Sequence, residues 1–440
     1  MRVPRFPLLP IPLSLMLLIS SAIAGWERVD VDADLVDHLF EGQDPPAPGC
    51  SEAPMPVVDG NGAVVGFEPS DGRFAFFVDL DEGDAPPADL LIYFAGGGAC
   101  WDDRTCVGSA LESAPTYLPE VTETTQLLDA ASDDLLPDPG VGGVLTRVDG
   151  SDNPFAAFAK VYIPYCTGDV HIGSADTPYQ YPSLPPWTVR HRGFDNLRVV
   201  LKWLQEHRLS PRHNLTLAGS SAGGYAALFN FPVIRDALGD GPRYSIIVDS
   251  ASGVLTDGFL DRAFGPPGAE GIWGAKANLD PMLQVIVDRE PAESLWLEVF
   301  RAIGDAYPDS RISQSTAAFD AIQASVLLTM QQVDDDSYDP ASAPSEAELF
   351  AALLEWSPKA RGAMWQTALS VSNYKRYLAA GLGHIHLLDP PAGFETPNYF
   401  EEDTAGNVRY VDWLEDMLNN RRLFFGTDWR NLSCFPRCFR

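Results

Sequence analysis

Basic residues are scarce in this chain. Its 440 residues carry 30 lysines and arginines against 61 aspartates and glutamates, a formal charge of −31. Losing Arg2 and Arg5 with an N-terminal leader leaves 28 against 61, or −33. Such a surface repels phosphate backbones and acidic headgroups, which excludes nucleic acid and anionic membranes as partners. An anionic, de-esterified polysaccharide would need local positive charge to bind. Long apolar runs are missing too: nothing approaches the roughly 20 residues that a bilayer span requires. The opening run, Leu8–Ile19, is too short for that. It follows Arg2 and Arg5 and precedes Ser21-Ala22-Ile23-Ala24, the layout of a cleaved export signal over residues 1–24. The mature protein is therefore expected to start near Gly25, to be soluble and secreted or periplasmic, and, with no cysteine at the cleavage point, to lack a lipid anchor.

Internal repeats and interdomain linkers are also absent, so residues 25–440 read as one domain large enough to bury a substantial core. The Pro/Gly/Asp-rich stretches Asp44–Pro56, Asp81–Ala88 and Pro137–Gly143 read as surface loops. Metal-ligand patterns are incomplete. Asp30, Asp32, Asp34 and Glu41 mimic a calcium loop, but Leu35 stands where the sharp turn needs glycine. Cys434 and Cys438 lack two further zinc ligands nearby. In an exported chain the six cysteines instead predict disulfides. Cys100 with Cys106 is the firm pair; proximity suggests pairs among Cys50, Cys166, Cys434 and Cys438 as well, out of 15 possible connectivities. No metal and no cofactor is expected.

What the chain does contain is an α/β pattern. Strand-like segments at Phe74–Leu80, Asp89–Phe94, Lys160–Pro164, Asn214–Leu217, Tyr244–Asp249 and Arg311–Thr316 alternate in the later part with helical patterns at Asn196–His207, Tyr225–Leu238, Pro281–Tyr307 and Ser345–Ser370. Alternation of this kind predicts a mainly parallel sheet flanked by helices, with ligands beyond the carboxyl ends of the strands.

Leu215–Gly224 holds the strongest motif. A short apolar strand runs into Gly219-Ser220-Ser221-Ala222-Gly223 and then a helix, the G-x-S-x-G turn that lifts a serine hydroxyl clear of a sheet at the positive end of a helix. A glycine-rich turn with two capping serines is the competing reading. Ala95-Gly96-Gly97-Gly98-Ala99 follows the Asp89–Phe94 strand and offers backbone N–H groups to an oxyanion; Gly97, Gly98 and Ala222 are the candidate donors. The lysine and Ser/Thr of a phosphate loop are missing there. Chain order Ser, acid, His leaves His384 and His386 as candidate bases, of which His384 directly follows a glycine. Asp320, after the Arg311–Thr316 strand, fits the acid, with Asp249 as runner-up.

Five ordered blocks resemble the pectin acetylesterase and Notum hydrolases, most closely the bacterial members. They are Ala95–Trp101 with Cys106, Val161–Gly173, Gly219–Gly224, Ala317–Gln323, and Gly381–His386 leading to Val411–Leu414. The resemblance implies an α/β-hydrolase-like fold, a triad of Ser221, Asp320 and His384, and oxyanion donors at Gly97, Gly98 and Ala222. It also implies ester hydrolysis: acetyl groups from pectin in plant and microbial members, a fatty acyl group from a protein in the animal member. Many relatives carry tryptophan where this chain has Gly98 or Ala99, so the acyl pocket's shape does not carry over. The export signal and the bacterial likeness favour an acetylated carbohydrate as substrate. The alternatives are a general esterase or deacylase of longer acyl esters and an inactive secreted binding protein. Asp169 and His171, in the block after Lys160–Pro164, read as an anchored turn beside the site.

Overall fold

The computed structural model describes residues 26–439 apart from 60–63, 69, 81–85, 109–115, 119, 122–141, 148–150, 183–185, 389–399, 403 and 420–428. The export signal at 1–24 and most of the loops at 81–88 and 137–143 lie outside the described residues. Among the described residues thirteen strands occur: β1 Trp26–Val31, β2 Met55–Val58, β3 Val64–Glu68, β4 Phe74–Asp79, β5 Asp89–Phe94, β6 Ala159–Ile163, β7 Ala175–Tyr179, β8 Trp187–His191, β9 Asn214–Ser220, β10 Arg243–Asp249, β11 Arg311–Ala317, β12 Tyr374–Ala379 and β13 Leu432–Ser433. Nine of them form one sheet in the order β1-β4-β6-β5-β9-β10-β11-β12-β13. The β1–β4 and β4–β6 pairs are antiparallel, and every pair from β6 to β13 is parallel.

The sequence dictates this sheet through apolar continuity. Phe74–Asp79 is buried throughout, and Leu90–Phe94 and Ile246–Val248 are shielded on both faces, as strands covered by helices on either side must be. Helices Gly193–Glu206, Ala222–Phe229, Phe231–Leu238, Ala292–Ala306, Ala321–Asp334 and Glu346–Ser370 supply the cover. The expected parallel α/β architecture is thus present, with differences in detail. The single helix expected over Tyr225–Leu238 is two, because Pro232 starts a new helix within its first turn. Pro281–Tyr307 likewise divides into Pro281–Val287 and Ala292–Ala306, with Pro291 at the second N-cap. Asp44–Pro56 is less superficial than its composition suggests: Cys50, Ser51 and Ala53 are fully buried, and Met55 opens β2. Asp32 caps the helix Ala33–Leu39 by accepting from Leu35 N–H, so the acidic segment is a helix start.

Disulfides join Cys100 to Cys106, Cys434 to Cys438, and Cys50 to Cys166 across 116 residues. No helix among the described residues is long and apolar enough to cross a membrane. Because a bridge acts chiefly by restricting the unfolded chain, more so for a longer loop, the Cys50–Cys166 bond carries the largest share. Replacing both with serine is expected to lower unfolding stability by about 2–5 kcal/mol, read as a reduced urea midpoint. The same change at Cys434 and Cys438, only four residues apart, is expected to cost less.

Candidate active site

The candidate nucleophile, acids, bases and oxyanion donors all lie at or just beyond the carboxyl ends of β5, β9, β10, β11 and β12. Ser221 directly follows β9 and stands at the N-cap of the helix Ala222–Phe229, with φ 56° and ψ −123° and no capping bond from its hydroxyl. A non-glycine residue with that backbone is strained by about 1–3 kcal/mol. The surroundings hold it there. A Cβ on Gly219 would lie 2.1 Å from the Gly223 carbonyl oxygen, and one on Gly223 would lie 2.0 Å from that of Phe94. Strand, turn and helix therefore close up only with glycine at both positions. Ser221 N–H donates to the Asp249 carbonyl at 2.8 Å, fixing the turn to the end of β10.

The glycine loop leaves β5 beside this turn. A Cβ on Gly96 would sit 3.0 Å from the Ser221 Cβ, so loop and nucleophile turn are in contact. Gly97 and Gly98 have positive φ (155° and 77°). Among the described residues the amides of Gly97, Gly98 and Ala222 donate no hydrogen bond, and Gly98, Ala222 and Ser221 line one cavity. The turn after β6 supports the loop from beneath. Asp169 accepts from Thr167 Oγ1 (2.5 Å) and from the amides of His171 (3.0 Å), Gly173 (3.0 Å) and Gly193 (2.8 Å). Burial pushes the His171 imidazole down to about 4, leaving it neutral, and its Nε2–H donates to the Ala95 carbonyl at 2.9 Å. The pair thus braces the first residue of the glycine loop.

Each candidate acid is paired with a candidate base. Asp320, fully buried, caps the helix Ala321–Asp334 through the Gln323 amide and accepts from His384 Nδ1–H at 2.9–3.0 Å. His384 lines the cavity with Ser221, its Nε2 left for another partner. No hydrogen bond joins it to the serine hydroxyl among the described residues; in substrate-free hydrolases that contact is often long and tightens on binding. Burial lowers the His384 pKa, but the Asp320 charge and hydrogen bond, with the Asp249 charge behind them, outweigh it and leave the imidazole above its ordinary 6.5. Asp249 pairs instead with His386, Oδ1 to Nδ1 at 3.0 Å, both fully buried beneath the turn.

The cavity itself was not legible in the sequence. It encloses about 100 Å³ and widens into an open mouth, and its walls are mostly apolar. Val254, Leu255, Phe259, Phe264, Trp273 and Leu295 line it, with Val326 and Met330 from the helix Ala321–Asp334 and Trp356 from the helix Glu346–Ser370. The one metal-like grouping among the described residues, Cys100, Cys106 and His191, has both sulfurs in a disulfide.

Comparison with known proteins follows this geometry. Residues 74–258 match a protein-family model described as Pectinacetylesterase. Over 176 residues the chain is 31% identical to palmitoleoyl-protein carboxylesterase NOTUM of Drosophila melanogaster, a match covering 39% of this chain and 23% of that relative. Two crystal structures of the Wnt deacylase Notum from Drosophila share the fold at 19% identity. One superposes with a TM-score of 0.54 over 88% of this chain and 98% of that one, the other with 0.50 over 85% and 94%. The chain has a Notum-like α/β-hydrolase fold.

The Asp320–His384 pair has a direct signature. Asp320→Asn keeps a side-chain oxygen for the Gln323 amide but removes the charge, leaving burial to dominate. The His384 imidazole, followed by NMR titration, is expected to have a lower midpoint than in the parent protein.

Proposed function

We propose that this chain is a secreted serine carboxylic-ester hydrolase whose acyl pocket takes an extended apolar chain. The observation that carries the reading is the apolar cavity that opens on Ser221, the unengaged amides of Gly98 and Ala222, and His384 together. The family match over residues 74–258 and the NOTUM likeness support ester chemistry, and the relative's own name describes removal of a long acyl group from protein. The three disulfides and the N-terminal leader support an extracellular setting.

In this mechanism His384 Nε2 takes the proton of Ser221 as its oxygen attacks the ester carbonyl. The oxyanion receives the amides of Gly97, Gly98 and Ala222, in a site where no solvent reorganisation is required. His384 then protonates the leaving alcohol, and water, activated the same way, frees the acid from the acyl-enzyme. Asp320 holds the Nδ1–H tautomer and balances the imidazolium. The residues need no cofactor for this.

The acetylated-carbohydrate substrate expected from the sequence is the second reading, favoured by the description of the family model that covers the nucleophile and glycine loop. It rested on the export signal and the likeness to bacterial members, while the apolar walls come mostly from parts of the chain outside the glycine loop. The inactive-scaffold reading has no observation in its favour.

A series of p-nitrophenyl esters from acetyl to hexadecanoyl separates the two. Each methylene that the cavity accepts adds up to about 0.8 kcal/mol, near fourfold in kcat/KM, so values are expected to climb with length to eight carbons or more. A maximum at acetyl overturns the long-chain reading. Ser221→Ala is expected to lower kcat at least about 10³-fold with an unchanged melting temperature. In the active protein, kcat/KM is expected to fall on acidification with a midpoint above 6.5, because His384 must be neutral to act and its pKa is raised.

A further inference from the structure

The buried Asp249–His386 pair has no part in the steps above, yet it has the densest set of polar contacts near the site. Asp249 Oδ2 accepts from Ser220 Oγ (2.8 Å), His386 N–H (2.8 Å) and Leu387 N–H (3.1 Å). Its Oδ1 accepts from Ser315 Oγ (2.8 Å), His386 Nδ1–H (3.0 Å) and Ser250 Oγ (3.3 Å). Tyr93 OH donates to Ser220 Oγ from β5 (3.0 Å), and Tyr410 OH meets Ser315 Oγ at 2.8 Å. One carboxylate thus gathers the ends of β9, β10 and β11 and the loop after β12.

Two of its partners flank the proposed reacting groups. Ser220 immediately precedes Ser221, and His386 lies two residues beyond His384. The Asp249 backbone carbonyl also accepts from Ser221 N–H. The nucleophile turn and the base loop are otherwise far apart in sequence, and this residue fastens both. His386 is fully buried and does not line the cavity, whereas His384 does, so the pair is aimed at the supports and not at a substrate.

Resting on the proposed triad, we infer that Asp249 and His386 are positioning residues that set the separation between Ser221 and His384. Their contribution falls on kcat, because catalytic geometry loosened by about 1 Å costs on the order of a hundredfold in rate, while the apolar walls that bind the acyl chain stand elsewhere. Packing alone would instead appear in stability with kcat preserved.

The test uses the whole chain with Asp249→Asn, His386→Phe and His386→Asn, the last retaining an N–H donor toward Oδ1. Melting temperature, kcat and KM are measured on the best ester of the series, with the rate of Ser221 labelling by a fluorophosphonate. Asp249→Asn and His386→Phe are expected to lower kcat and labelling on the order of a hundredfold with KM held within about twofold, and His386→Asn to recover most of the loss. A folded Asp249→Asn with kcat within about threefold of the parent, or a loss confined to KM, overturns the inference. If Asp249→Asn does not fold, His386→Phe decides by the same criteria. Asp320→Asn is run in parallel. Near-full activity there beside a dead Asp249→Asn overturns the triad assignment itself, and the positioning role with it.

Discussion

A serine held at φ 56° between a strand and a helix is the constraint around which this end of the molecule is arranged. An L-residue leaves that conformation unless the structure around it supplies more than the strain, about 1–3 kcal/mol. The support is steric on one side and polar on the other. Backbone carbonyls press so closely on Gly219 and Gly223 that no side chain fits, and the end of β10 receives the serine amide. The glycine loop, the Asp169 turn beneath it and the loop after β12 are all placed by contact with this one turn or its immediate neighbours.

Around the turn, two aspartate–histidine pairs sit in contrasting surroundings. Asp320 and His384 meet at the cavity wall, with the imidazole partly open to it. Asp249 and His386 are sealed among hydroxyls and amides. Burial opposes the charge on Asp249, but His386 and the converging hydrogen bonds carry its carboxyl below the ordinary range. A buried anion is tolerable only when fully hydrogen-bonded, and here the requirement is met by drawing four segments of chain to one point.

The sequence made the local features plain and the composite ones obscure. Gly219–Gly224 and Ala95–Ala99 were readable because a turn's demands are written in consecutive residues. The parallel sheet was readable from the apolar runs of β4, β5, β9 and β10, whereas β12 was not, since Lys375 and Arg376 interrupt its pattern. Choosing between His384 and His386, or Asp320 and Asp249, needed chain order and family likeness, because pairing is a property of three-dimensional placement. The cavity escaped altogether: its walls come from single residues on several helices and the turns between them, each of which reads as ordinary core.

The boundary of the family match has a consequence for how such a protein can change over time. Residues 74–258 include Ser221 and the amides of Gly97, Gly98 and Ala222, while Asp320, His384 and the cavity residues Phe264, Trp273, Leu295, Val326, Met330 and Trp356 lie beyond them. The serine turn and the glycine loop depend on backbone fits that tolerate almost no substitution. The cavity walls are side chains on helices and turns, where one apolar residue replaces another at modest cost. On the proposed function, the ester cleaved can therefore change by drift among those wall residues, which lie on both sides of the boundary and are interleaved with Asp320 and His384, while the turn and loop stand still.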